Sequence, residues 1–457
     1  MWDMIPSFRP FVDALAPAFT NPSFLTHTNF CLAWLMTLGP KNLRRVGHNA
    51  QPNVLPDNTQ RHGLDVYYNF FERSAWTPAG LAYHVGVLIL KHLNIFGRIT
   101  LLVDDTLAHK RGEHVWGLGW WRDAVASTRT RVATASGHNW VVLAIAYTPP
   151  GGDAPVLALP LLARLHRPGE GQPGCASLAK EMLAEVRGWW PERSFTLVGD
   201  GAYACKELLA DLADGVHYVG RMRGDAAVYD PEVPATPKGR RGPKAQKGPR
   251  LPGPKEAAAK ADRKKTKTPT PKRAWLWACL TVTLYGSARE LCVLSYEAVW
   301  PRVSGLRPIR IVVVRDPSGR MDDIYLFTTD LTASTAWVVE QFGRRWAIEV
   351  LFKSSKQVMD IEAPQHWCQS SVEKVAPWVW SMQSVVMVWY LTSGRELPEA
   401  LELRARMGDW DSEWSLRHMV SVLRRAILNA TINPNSANTD ELKVMVETLK
   451  NWANLAA

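Results

Sequence analysis

With 457 residues, 46% hydrophobic and 21% charged, the chain has the length for several domains and the composition of a folded protein, which excludes the disordered and fibrous classes. The net charge of +11 is concentrated: residues 238–273 hold 14 Lys or Arg against Glu256 and Asp262, a net +12, and leave the remainder at −1. This excludes a uniformly basic protein and points to a near-neutral one with a single cationic, Pro-rich, low-complexity segment.

The first residues, MWDMIPSFRPFVDALAPAF, lack a basic stretch followed by an apolar one, so no secretory signal is expected. Residues 5–95 carry helical periodicity in FVDALAPAF, FLTHTNFCLAWLMTLG, GLDVYYNFFER and PAGLAYHVGVLILKHLN, which predicts a helical N-terminal domain over 1–96. KNLRR at 41–45 is its basic patch.

From residue 98 the period changes. RITLLVDD (98–105), NWVVLAIAYT (139–148) and APVLALPLLARL (154–165) read as strands, ASLAKEMLAEVRGWW (176–190) as a helix and SFTLVGD (194–200) as a strand. A helix at AYACKELLADLAD and a strand at HYVGRMR (217–223) follow. This order predicts a mixed-sheet α/β domain, first part 97–223. Four β-rich runs at 274–284, 288–299, 308–315 and 323–329 then predict a β-rich insertion over 224–330 that includes the basic linker 238–273.

TASTAWVVEQFGRRWAIEVLFKSSKQ (332–357) reads as one long helix capped by Thr332 or Ser334, opening the second part of the core over 331–400. At 100° per residue, Arg345, Glu349 and Lys356 fall within a stripe about 40° wide with Phe342 at its edge. Trp346, Ala347, Val350 and Leu351 are expected to be the packing face. The apolar run at 378–391 contains Gln383 and falls short of the roughly 20 residues a membrane span needs, so it reads as a buried helix with no membrane partner. A helical C-terminal region is expected over 401–457. The six Cys form no CxxC pair or disulfide-like rhythm, which suits a reducing compartment and speaks against structural zinc.

Side chains alternate along a strand, so Asp104 and Asp105 point to opposite faces and only one can serve a given site. Asp200 ends a second apolar strand and is followed by Gly201. A single strand-end Asp is most often a turn or cap residue, and an Arg-Glu pair at i, i+4 is commonly a weak surface pair. It is the recurrence of such acids in one setting that points to a site.

Phe342-x2-Arg345-x3-Glu349-x6-Lys356 resembles the Y-x2-R-x3-E-x6-K signature of cut-and-paste DDE transposases of the insertion-sequence kind. VDDT (103–106), VGDGAYA (198–204) and FTTDL (327–331) resemble that family in the same order, and so does HYVGRMRGDAAVYD (217–230). The resemblance implies an RNase H-like catalytic core interrupted by a β-rich insertion and flanked by helical regions. It implies Asp105, Asp200 and Glu349 as catalytic, metal-holding acids, with Mg²⁺ as cofactor and Mn²⁺ as its substitute. Asp104 is then expected to face elsewhere and its replacement to be mild.

The same resemblance makes Arg345 and Lys356 contacts to DNA near the scissile end, joined by Phe342, which lacks the phenolic OH of the family Tyr. Lys110 and Arg111, after the first strand, are further candidate phosphate contacts, and the N-terminal helices over 1–96, with KNLRR as their basic patch, are expected to be the DNA-binding domain that recognises the ends. Trp300 is a candidate platform for a flipped base, with a buried core Trp as its alternative. The implied activity is cleavage at terminal inverted repeats followed by joining of the 3′-OH ends to target DNA, by a homodimer in the cytoplasm, at the nucleoid when bound to DNA. The alternatives are a metal-dependent nuclease without strand transfer and a transposase-derived DNA-binding protein without catalysis.

Overall fold

The computed structural model describes residues 4–50, 63–128, 130–151, 154–233, 246–263, 275–284, 287–408 and 412–431. The sheet begins with β1 (Ile99–His109), β2 (Gly119–Arg122), β3 (Thr134–Tyr147) and β4 (Leu157–His166), continues with β5 (Phe195–Gly199) and β6 (Val216–Arg221), and is mixed. β3 runs antiparallel to both β1 and β4, whereas β1, β5 and β6 are mutually parallel, giving the spatial order β4-β3-β1-β5-β6. This is the RNase H-like arrangement, and the interior strands read as near-continuous apolar runs because both faces are covered. The first strand is longer than its periodicity indicated: it ends at His109, so both aspartates lie inside it.

The remaining strands are β7 (Val228–Tyr229), β8 (Arg250–Leu251), β9 (Ala278–Leu284), β10 (Ser287–Val299), β11 (Pro308–Arg315) and β12 (Ile324–Thr328). β12 pairs antiparallel with β6, so the β-rich segment continues the core sheet through β11 to β10. β9 folds back along β10.

The N-terminal helices are α1 (Arg9–Asp13), α2 (Asn21–Met36), α3 (Leu43–Asn49), α4 (Asp65–Glu72) and α5 (Pro78–His92). Pro78 opens α5, where a missing N–H costs nothing, and the Thr77 hydroxyl accepts from Gly80 N–H. The other helices are α6 (Cys175–Trp189), α7 (Lys206–Leu209), α8 (Pro254–Arg263), α9 (Pro301–Ser304), α10 (Thr335–Arg344), α11 (Trp346–Gln357), α12 (Gln369–Thr392), α13 (Pro398–Ala405) and α14 (Leu416–Thr431). The buried run at 378–391 lies within α12, whose Trp378, Trp389 and Tyr390 are fully buried. Trp378 packs on Phe30, Trp34 and Phe71, so α12 binds the N-terminal helices to the sheet in one apolar core. Among the described residues no helix is long and apolar enough to cross a membrane.

Lys41 corrects the reading of KNLRR as a surface patch. Its side chain is 4% exposed, its ammonium pairs with Asp360 at 2.7 Å and donates to the Val358 carbonyl, and only Arg44 and Arg45 face solvent. The expected 26-residue helix is also divided: α10 and α11 meet at Arg345, where Arg345 N–H bonds Phe342 O and Ile348 N–H bonds Arg345 O in three-residue steps. Ser334 is the cap, accepting from Trp337 N–H. The tightened turn rotates the later residues, so Trp346 and Val350 are 55% and 53% exposed, not packed, while Ala347, Ile348 and Leu351 are buried.

Candidate acidic site

The parity of β1 fixes which elements each aspartate meets. Thr100 bonds Gln341 of α10, and Asp104, four residues on, shares that face: its carboxylate accepts from Arg345 at 2.8 Å. The same guanidinium reaches Glu349 at 3.2 Å, so Asp104, Arg345 and Glu349 form one linked group on the α10–α11 side. The expectation that Asp104 faces elsewhere is therefore overturned.

Asp105 lies on the reverse face, toward α6. Its carboxylate accepts from Asn139 at 3.2 Å and from the Tyr203 hydroxyl at 3.3 Å. Asn139 also lies 3.7 Å from the Cys175 sulfur, which stands 3.3 Å from His166 Nδ1. Both strand positions were legible as opposed; which of them meets the Glu349 helix is decided by tertiary packing, because α11 and α12 cover the Asp104 face.

Asp200 follows β5, whose parallel register pairs Leu102 with Val198; carried two residues on, that register sets Asp200 beside Asp104. The turn that bears it is held by its own side chain, which accepts from Ala202 N–H, and by Tyr218, whose hydroxyl donates to Asp200 O. Tyr203 of this turn reaches back to Asp105, so Asp105 ties the Asp200 turn to β1 from behind.

The electrostatics agree with this placement. Burial and then the charge of Asp200 raise the Asp104 carboxyl to about 7, against the opposing pull of Arg345. Burial is also the first cause of the raised Asp105 carboxyl, opposed by the hydrogen bonds from Asn139 and Tyr203. Carboxylates this close disfavour each other's ionisation, and a nearby cation relieves that. Replacing Tyr203 with Phe removes one donor from a buried carboxylate and is expected to cost about 1–2 kcal/mol of stability in urea denaturation.

The other predicted residues divide. Phe342 is half-buried, with the Arg345 guanidinium 6.0 Å from its ring centroid. Lys356 donates to the Leu107 carbonyl at 2.6 Å and stands 3.6 Å from Glu362, which brings α11 against the end of β1. Glu362 also meets His109, whose other ring nitrogen contacts Asp123, a pairing that sequence spacing did not signal. Arg111 is exposed at the rim of a cavity of about 460 Å³ beyond the end of β1.

Lys110 and Trp300 are engaged within the fold. The Lys110 ammonium donates to the carbonyls of Ile361, Glu362 and Pro364, and burial lowers it to about 8, so its role here is to hold the loop after α11. Trp300 is 8% exposed and packs edge-on against Phe327, as the core-Trp alternative expects. Residues 238–245 and 264–273 of the basic segment lie outside the described residues, as do residues 432–457 of the C-terminal region.

Asp104, Asp200 and Glu349 offer only oxygen donors, the type that hard divalent cations take, while the thiol and imidazole of Cys175 and His166 lie on the opposite face. Among the described residues no group of three or more His, Cys, Asp or Glu side chains is placed to hold a metal ion. The charge that the acids require is supplied here by Arg345.

No curated protein matches the chain. A solved piggyBac transposase, from a synaptic complex with hairpin DNA, is similar over 97% of this chain and 80% of that chain, at 8% identity and a TM-score of 0.35. The chain also matches the family described as DDE superfamily endonuclease over residues 15–278, a span that contains Asp104, Asp105 and Asp200 and ends before Glu349. That span is more than half of the 457 residues, and the protein therefore belongs to the DDE superfamily endonucleases.

Proposed function

We propose that the protein is a metal-dependent transposase that cuts DNA at the ends of an insertion-sequence element and joins the freed 3′-OH ends to target DNA. The observation that carries this reading is the convergence of Asp104, Arg345 and Glu349 on one face of β1 with Asp200 in the adjoining register. It revises the first acid of the set from Asp105 to Asp104, and keeps Asp200 and Glu349.

Asp104, Asp200 and Glu349 would hold Mg²⁺, with Mn²⁺ as a substitute. When bound, such ions acidify the attacking water or 3′-OH and neutralise charge on the phosphate and leaving oxygens. Asp105 acts from behind by fixing the Asp200 turn through Tyr203. Glu349, 43% exposed at its side chain, is open to a metal ion that would bridge it to a backbone phosphate, and Arg345 and Lys356, which both reach β1, would orient the strand. No covalent protein–DNA intermediate is required. A pair of subunits would hold two inverted repeats together.

The test incubates the protein with Mg²⁺, a labelled duplex carrying the terminal inverted repeat and a target plasmid. Products joined to the plasmid are expected; nicks alone would indicate a nuclease, and a shifted but uncut band a DNA-binding protein without catalysis.

The basic segment supplies a second, salt-sensitive contribution. Each phosphate it neutralises adds about 0.9 to the slope of log affinity against log salt. Replacing the Lys and Arg of residues 238–245 and 264–273 with Gln, which spares β8 and α8, is expected to lower that slope by about 3 or more, and an unchanged slope in a filter-binding series would remove the segment from the DNA interface.

A further inference from the structure

β9 and β10 form an antiparallel hairpin in which Cys279 stands directly opposite Cys292. Directly opposed residues on such strands have Cα atoms about 4.5–5.5 Å apart, inside the range of about 4.4–6.8 Å that a disulfide spans. The side chains confirm the opportunity: the two sulfurs are 3.4 Å apart, both thiols are free, Cys279 is exposed and Cys292 is partly so. Closing the bond needs about 1.4 Å of approach toward the usual S–S length of about 2.0 Å and no movement of either strand. The wide sequence spacing of the pair hid it from any CxxC pattern.

The location gives the pair a consequence. Cys279 sits at the entry of β9, immediately after the basic segment, where Trp277 is clamped by the Arg315 guanidinium at 4.2 Å and donates to Asp262 at 3.0 Å. The other end of β9 touches α10: Thr283 N–H donates to Glu340, and the Leu284 side chain packs against Gly343, two residues before Arg345. β9 thus connects the root of the basic segment to the helix that leads into the acidic site.

We propose that Cys279 and Cys292 are an oxidation site, closed by a peroxide into a reversible intramolecular disulfide that staples β9 to β10. In the first step the thiolate of Cys279, the more exposed of the two, attacks one peroxide oxygen; the O–O bond breaks, giving a sulfenic acid and one water. In the second the Cys292 thiol attacks that sulfur, the S–S bond forms, the S–O bond breaks and a second water leaves. Two thiols and one hydrogen peroxide therefore give one disulfide and two waters. In a reducing compartment such a bond is transient, which suits a sensor and not a structural staple.

The test treats the full-length protein with one equivalent of hydrogen peroxide, digests it without reduction and maps cross-linked peptides by mass spectrometry. The expected product is a single intrachain link between the Cys279 and Cys292 peptides, reversed by dithiothreitol and absent from both C279S and C292S. Amide exchange across β9 is expected to slow several-fold in the oxidised wild type and to stay unchanged in C279S after the same treatment. Cys279 and Cys292 remaining separately alkylatable, passing singly to sulfinic acids, or linking only between chains would each overturn the proposal. None of these outcomes depends on DNA cleavage, so failure here leaves the transposase reading untouched.

Discussion

Asp104→Asn is expected to lower Mg²⁺-dependent cleavage by at least about 10³-fold, whereas Asp105→Asn lowers it by about 10–100-fold, the range for a partner that acts on a ligand from outside. The reason is geometric: Asp104 shares the Arg345–Glu349 face, while Asp105 reaches the site only through Tyr203 and the Asp200 turn. A pH signature separates this loss from unfolding. The folded carboxyl of Asp104 is raised to about 7. Its contribution to stability is complete below the unfolded carboxylate range near pH 4 and is lost as pH rises through about 7. Asn carries no such penalty, so the variant should be more stable than wild type at pH 8, on the order of a few kcal/mol, while cleaving nothing. This pH signature belongs to the metal-free protein, since a bound cation relieves the repulsion between Asp104 and Asp200. Thermal unfolding of the metal-free protein at pH 5 and pH 8, measured beside cleavage, checks the sign.

Lys41→Met is expected to cost about 3–5 kcal/mol, because removing one member of a buried ion pair leaves the other charge and a carbonyl without their donor. The ammonium is 4% exposed at its side chain and joins Asp360 to α3 and the end of α11, two regions more than 300 residues apart in sequence. Met retains most of the apolar volume, so the loss reads out the polar interactions and not a cavity. Guanidinium denaturation gives the magnitude. The salt dependence of DNA binding by the folded fraction should not change, which distinguishes a structural lysine from a phosphate contact.

These two residues show where the sequence was sufficient and where it was not. The strands β1, β3, β4, β5 and β6 were legible because buried strands read as short apolar runs; their order alone indicated a mixed α/β sheet, and the RNase H-like core was what the resemblance implied. The stripe Arg345, Glu349 and Lys356 was likewise legible from helical geometry, and Arg345 does meet Glu349. Strand parity separated Asp104 from Asp105 but could not say which face α11 would cover, since that depends on Trp380 and Gln383 of α12 packing onto Ser355.

The lysines failed for the same physical reason. A Lys is ordinarily exposed, and it becomes a core residue only when remote partners meet it: Asp360 for Lys41, and the carbonyls of residues 361–364 for Lys110. Trp346 and Val350 erred in the other direction. Uniform helical periodicity assigned them to the packing face, and the tightened turn at Arg345 carried them to solvent.

The most direct measurement of the central claim is Mn²⁺ binding by isothermal titration in the presence of an uncleavable end duplex. Wild type should bind, Asp104→Asn and Glu349→Gln should lose more than about 100-fold in affinity, and Asp105→Asn only about 10-fold. Wild-type affinity retained by Asp104→Asn, with binding lost in Asp105→Asn, would place the first acid on the opposite face of β1 and contradict the account.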